Sequence, residues 1–171
     1  MNIYGYCRIS TAKQSIDRQI RNIKAEYPTA HIVQEAYTGT SIFRPEWLKL
    51  YRVLKAGDTV VFDSVSRMSR NAEEGFALYE DLYHKGIRLV FLKEHHIDTE
   101  TYRKALSGSI AMTGTNVDFI LKGINEYLMA LAKEQIKLAF EQSEKEVADL
   151  HQRTREGLLT ARLNGKQVGR K

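Results

Sequence analysis

Short apolar runs alternate along this chain with longer stretches in which apolar residues recur every three or four positions. Ile3 to Arg8, His31 to Ala36, Thr59 to Phe62 and Ile87 to Leu92 read as four β-strands. Thr59-Val60-Val61-Phe62 is apolar almost throughout, the pattern of a parallel strand covered on both faces. Helical spacing lies between the strands. Ile16, Ile20 and Ile23 share a face within residues 15–26, and Trp47, Leu48, Leu50, Tyr51 and Leu54 follow Pro45. A third helix runs from Ala72 to Lys85. Pro45 suits a first helical turn, Gly57-Asp58 breaks the second helix, and Gly86 is placed to cap the third. This strand–helix alternation predicts an α/β domain with a mostly parallel central sheet flanked by helices.

After Glu94 the pattern changes. His95 to Thr115 is polar and irregular, with a short helix expected around 102–106. From Val117 the chain reads as helical almost to its end. Ile136, Phe140, Ser143, Val147, Leu150, Thr154, Gly157 and Ala161 are spaced alternately by four and three, a heptad seam that implies a partner helix. The small residues Thr154, Gly157 and Ala161 would let two helices cross closely or let one lie near nucleic acid. Asn164-Gly165 stops the helix, and Gln167 to Lys171 reads as the start of a linker.

At 171 residues, 43% hydrophobic and 27% charged, one compact domain plus an extension is expected. The single cysteine, Cys7, rules out an internal disulfide framework and points inward, away from Arg8. Met1-Asn2-Ile3-Tyr4 has neither a basic start nor an apolar core, so no signal peptide is visible, and no apolar run reaches membrane length. A cytoplasmic, reducing location is expected. Net charge is +5, and its distribution matters more than its size. Arg153, Arg155, Arg162, Lys166, Arg170 and Lys171 face a single acid, Glu156, over the last 21 residues, a balance suited to phosphate contacts.

The chemistry concentrates at the strand ends. Arg8 and Ser10 stand two apart at the end of the first strand and so share a face. A serine hydroxyl is a poor nucleophile without help, and a guanidinium beside it suits a planar, negatively charged centre such as a phosphoryl group. Gln14 and Gln19 follow on the first helix. Thr38-Gly39-Thr40 leads from the second strand to Arg44-Pro45, and Arg67 and Arg70 follow the third. Parallel strands deliver their C-terminal ends to one edge, where sites form. Four arginines around one serine make a site for a phosphodiester rather than a carbonyl, and their charge stabilises an anionic transition state.

Other chemistries fit poorly. A Cys-x5-Arg phosphatase signature would need arginine where Lys13 stands, and no GxSxG elbow occurs. No GxxxxGK[ST] phosphate loop is present, and His95-His96 with a lone Cys7 make no metal set. No cofactor is expected.

The chain closely resembles the serine recombinases of the resolvase and invertase family. The matching residues are Tyr6-x-Arg8-x-Ser10-Thr11-x-x-Gln14-Ser15-x-Asp17-x-Gln19, Thr38-Gly39, Arg44-Pro45, Gly57-Asp58, Arg67-x-x-Arg70, Arg153-Thr154-x-Glu156-Gly157 and Gly165. The resemblance implies that Ser10 attacks a DNA phosphate and becomes joined to the 5′ end, leaving a free 3′-OH that later reverses the linkage. It needs neither metal nor ATP. Arg8, Arg44, Arg67 and Arg70 would bind the scissile phosphate. Tyr6, Gln14, Gln19, Thr38 and Ser66 would support the site. Residues 1–133 would be the catalytic domain, 134–165 a dimerisation helix, and 166–171 the start of a linker to a DNA-reading domain. The partners implied are double-stranded DNA, a second copy in a homodimer that assembles to a tetramer, and accessory factors, with no membrane. Ile136, Phe140, Val147, Leu150, Thr154 and Gly157 would form the dimer seam. Arg153, Arg155, Arg162, Lys166, Arg170 and Lys171 would follow the DNA backbone.

Three departures stand out. The family usually has Asp before the arginine that follows the third strand; here it is Ser66, and Asp63, three residues earlier, is not expected to replace it. The family often has Glu-Arg where this chain has Glu146-Val147. Residues 99–133 are longer than in compact resolvases, with an extra helix expected over 117–131 before the long one. The chain reads as the catalytic fragment of a longer protein; the alternative is a catalytically silent homologue that dimerises and binds DNA.

Overall fold

The computed structural model describes residues 1–9, 16–36, 44–107 and 110–165. Four strands, β1 (Ile3–Ile9), β2 (His31–Ala36), β3 (Thr59–Phe62) and β4 (Arg88–Phe91), form one sheet in the order β2-β1-β3-β4. Every neighbouring pair is parallel. The helices are α1 (Asp17–Glu26), α2 (Pro45–Val53), α3 (Val65–Met68), α4 (Ala72–His84), α5 (Thr99–Ser107) and α6 (Asp118–Leu163). A 3-10 turn at His95–Ile97 precedes α5.

The two-residue repeat of the strands divides the core. Tyr6, Phe62 and Phe91 point to one face, where they meet Trp47 and Leu50 of α2, Tyr79 and Leu82 of α4, and Phe140 of α6. Cys7, Val61 and Val90 point to the other, under Ile23 of α1. The first face is built from rings: Phe62 stacks on Phe91 with centroids 5.3 Å apart, and Tyr6 meets Trp47 edge-on at 5.1 Å. Each such ring contributes about 1.5–3 kcal/mol through burial.

The helix expected over 117–131 is not a separate element. α6 is continuous over 46 residues, about 69 Å at 1.5 Å per residue. Only its middle docks. Ile136, Ala139 and Phe140 are buried, Lys133 pairs with Glu80 at 3.0 Å, and Glu144 accepts the N–H of Ala72, the first residue of α4, at 3.0 Å. Gly75 of α4 makes the close approach possible: a Cβ there would stand 2.4 Å from Phe140 Cδ1. Both ends of α6 project from the body, with Phe119 88% and Leu163 78% exposed. Gly165, at φ +70°, closes the helix by donating its N–H to the Arg162 carbonyl at 3.0 Å.

This packing corrects two of the expected seam residues. Ile136 and Phe140 are 3% and 2% exposed because they complete the chain's own core against α3 and α4. The heptad register is shared between two tasks: its first positions bury against the domain, and its later ones, Leu150, Thr154 and Gly157, lie exposed. The Val147 side chain lies outside the described residues. No helix among the described residues is long and apolar enough to cross a membrane.

Candidate active site

The strand order sets the location. β1 connects to β2 on one side and β3 continues on the other, so the crossover point lies between the C-terminal ends of β1 and β3. Crevices at that position are where open α/β sheets bind ligands. Arg8 sits at the end of β1, and Arg67 is carried on α3, directly after β3.

Pairing of β1 with β3 stops at Tyr6 against Phe62. Beyond it, Gln19 takes over. Its Oε1 accepts from the Arg8 N–H at 3.1 Å, and its Nε2 donates to the Arg8 carbonyl at 3.0 Å. Gln19 is 3% exposed, so it is a buried clamp on the strand end rather than a solvated helix residue. The Arg8 carbonyl also accepts from Arg67 Nη1 at 3.2 Å.

α3 has only four residues and is held at both ends. Glu94, after β4, accepts the Val65 N–H at 3.1 Å, and burial raises its carboxyl above the usual range. At the other end Arg8 Nη2 donates to the Ser66 carbonyl at 2.5 Å and Arg8 Nε to the Arg67 carbonyl at 3.2 Å. Arg44 Nη1 donates to the Met68 carbonyl. Cations on the closing carbonyls of a helix satisfy orphan acceptors and complement its dipole. Ser66 Oγ shares a 2.9 Å hydrogen bond with Ser64 Oγ.

Arg44 is itself fixed from β2. It is the residue before α2 and cannot cap that helix with its own side chain. Glu35, 2% exposed, does so instead, accepting the N–H groups of Glu46 at 2.9 Å and Trp47 at 3.0 Å. Glu35 stands opposite Arg8 in the β1–β2 register.

The arginines share a strongly positive environment. Burial, followed by the charges of Arg44, Arg70 and Arg67, pulls Arg8 down to about 9. Burial lowers Arg67, opposed by the Asp63 carboxylate, and burial together with Arg44 lowers Arg70. Tyr6 lies among them with its hydroxyl buried and lacking a hydrogen-bond partner; burial raises it, and the Arg44 charge works the other way. Cys7, on the opposite face, is pushed up to about 12 by burial and by Asp63, which makes it an inert core thiol. The arrangement concentrates guanidinium donors at one strand edge, which suits a phosphate or another multivalent oxyanion.

Of the expected site residues, Arg8, Arg44, Arg67, Arg70, Tyr6, Gln19 and Ser66 come together here. Ser10, Gln14 and Thr38 lie outside the described residues, as do Lys166, Arg170 and Lys171. Arg153, Arg155 and Arg162 are exposed on the far half of α6. Glu35, Glu94 and Asn22 were not anticipated, and Asp63 was named only as an acid not expected to replace the one missing at position 66. An acid next to the C-terminal end of β2, at the sheet edge where the site forms, was the one visible sign of Glu35. Among the described residues no group of three or more His, Cys, Asp or Glu side chains could hold a metal ion.

The chain belongs to the family described as Resolvase, N terminal domain, whose model matches residues 3–167. It is 28% identical over 170 residues to a resolvase of Clostridium perfringens, covering 98% of this chain and 76% of that one. It is 27% identical over 167 residues to the transposon Tn21 resolvase of Escherichia coli, covering 98% of this chain and 74% of that one. Among solved structures, a resolvase family site-specific recombinase from Streptococcus pneumoniae covers 94% of this chain and 97% of its own, at 19% identity and a TM-score of 0.47. Family membership supports site-specific recombination as the activity of this chain.

Proposed function

We propose that this chain cuts and rejoins DNA by two successive transesterifications at Ser10. The hydroxyl of Ser10 attacks a DNA phosphorus, its proton is lost, and a 5′-phosphoserine ester forms as the bond to the 3′ oxygen breaks. The released 3′-OH of an exchanged strand then attacks that ester and restores Ser10. Each step exchanges one phosphodiester for another, so neither ATP nor a metal ion enters the balance. Arg8, Arg44, Arg67 and Arg70 bind the scissile phosphate and spread the charge of its transition state. Gln19 fixes the backbone of the strand that ends at the nucleophile, and Tyr6, Gln14, Thr38 and Ser66 support the site.

The observation that carries this reading is the cluster of four mutually repelling guanidiniums at the β1–β3 crossover, one of which, Arg8, stands two residues before Ser10 in the chain. Such a cluster costs stability unless an anion is meant to sit there. The projecting half of α6 fits the rest of the reading. Leu150 is 62% exposed, and with the exposed Thr154 and Gly157 it forms a strip of surface that a second copy would cover in a dimer. Arg153, Arg155 and Arg162, with Lys166, Arg170 and Lys171, track the DNA backbone. Tetramer assembly and accessory proteins belong to the same proposal, as does a cytoplasmic location.

The test links the chain to a DNA-binding module of known specificity and offers DNA carrying two matching sites. A covalent protein–DNA adduct on a denaturing gel, absent in Ser10→Ala, is expected. DNA binding without an adduct would favour a silent homologue that only dimerises and binds.

A further inference from the structure

Arg70 lies in the short link, Ser69 to Asn71, that joins α3 to α4. Ser69, 5% exposed, bridges over it: its Oγ donates to the Asn71 carbonyl at 3.0 Å and accepts the Asn71 N–H at 3.2 Å. Asn71 in turn caps α4, its Oδ1 accepting the Glu74 N–H at 2.8 Å. The next partner comes from 72 residues away in the chain. Oε2 of Glu144, on α6, accepts the N–H of Ala72 at 3.0 Å.

The first N–H groups of a helix have no partner within it, and Glu144 satisfies the first one of α4. A carboxylate is favoured there twice, by a charge-assisted hydrogen bond and by the positive end of the helix. Its place on the backbone matters for the site. An acid bonded to a guanidinium competes with phosphate for the same donors, whereas an acid on the N–H two residues along sets the course of the chain without that competition. α6 also lies against both α3 and α4, the two helices that bracket Arg70. Lys133, three turns earlier on α6, ties down a point farther along α4 through Glu80 at 3.0 Å.

We propose that Glu144 is a positioning residue for Arg70. Through the Ala72 N–H it fixes the start of α4, and with it the direction in which Arg70 leaves the link, so that the guanidinium meets a phosphodiester already oriented. This rests on the reading of Arg70 as a phosphate ligand. A side chain set in place beforehand loses less freedom when the anion arrives. The hydrogen bond also makes the seating of α6 a condition for a complete site, because a displacement of α6 from α4 reaches Arg70 through Ala72.

The experiment titrates the full chain with inorganic phosphate and follows hydrogen exchange of the Ala72 amide in parallel. In Glu144→Ala, exchange is expected to quicken and phosphate binding to weaken, each about tenfold. Glu144→Gln keeps an acceptor oxygen and should bind phosphate within about twofold of the wild type. Glu144→Asp keeps the charge but falls one methylene short, so it should weaken binding as alanine does, and it replaces the alanine variant if that one does not fold. In an Arg70→Ala background the Glu144→Ala change should have no further effect on phosphate. Lys133→Ala, which cuts the other tie between α6 and α4, should leave phosphate binding unchanged. Faster Ala72 exchange with unchanged phosphate affinity would overturn the proposal and leave a structural cap only. Tighter phosphate in both the alanine and glutamine variants would overturn it in favour of simple charge repulsion. A loss that persists without Arg70, or an equal loss in Lys133→Ala, would overturn it in favour of general loosening. A wild type that binds no phosphate would overturn the phosphodiester reading itself, and the positioning role with it.

Discussion

Arg8 and Arg67 hold each other through their main chains: Arg8 Nε donates to the Arg67 carbonyl and Arg67 Nη1 to the Arg8 carbonyl, both at 3.2 Å. Two like charges are thereby kept side by side across the β1–β3 crossover. The reciprocal geometry needs the guanidinium fork, which an ammonium lacks. Arg8→Lys is therefore expected to keep the fold but lower the rate of adduct formation by about 10²-fold. Single-turnover cleavage together with a thermal melt checks both halves of that expectation.

The same crowding sets a pH dependence. Arg8 is pulled down to about 9 in the folded protein, below its ordinary value, by burial and then by Arg44 and Arg70. For a base so lowered, the unfolded chain holds the proton more tightly than the folded one. The penalty is present at neutral pH and is relieved as pH rises through the folded value. The stability of the wild type relative to Arg8→Met should therefore rise between about pH 8 and about pH 10. Bound phosphate should remove that rise, because the anion restores the charged form. Denaturant unfolding of the two proteins at both pH values, with and without phosphate, measures it.

Gly75 and Phe140 form one packing unit. A methyl at position 75 would overlap the Phe140 ring and push α6 off α4. Gly75→Ala is expected to destabilise by about 1–3 kcal/mol, as overpacking does. Phe140→Ala alone costs about 3–5 kcal/mol. The double variant should be more stable than the sum of the two losses implies, since the smaller side chain makes room for the methyl. Chemical denaturation of the four proteins gives the coupling.

Glu35 caps α2 from the neighbouring strand, and so sets where Arg44 begins. Glu35→Ala leaves the N–H groups of Glu46 and Trp47 without their acceptor, at a cost of about 1–3 kcal/mol. Glu35→Gln keeps an acceptor oxygen and should lose less. Unfolding free energies, with adduct formation measured alongside, separate the cap from the charge.

The sheet was legible because its strands are unambiguous: β2 spans the residues its pattern marked, and β3 is the apolar run before Asp63. The arginines were legible from the elements around them: Arg8 lies at the end of β1, Arg44 directly precedes α2, and Arg67 and Arg70 follow β3. α3 was not, since four residues carry no periodicity. Glu35, Glu94 and Asn22 were missed for a related reason: each acts through contacts 11 to 41 residues away in sequence, which spacing cannot show. The heptad in α6 was real, but a repeat records burial without saying against what. Ile136 and Phe140 turn that burial toward their own domain.

The central claim is a 5′-phosphoserine at Ser10, and mass spectrometry of the trapped adduct tests it most directly. After nuclease and protease digestion, the peptide containing Ser10 should carry the 5′ phosphate of the cut strand, and the opposite end of the break should be a 3′-OH that a polymerase extends. Attachment at another residue, or a 3′ end that cannot be extended, would contradict the mechanism.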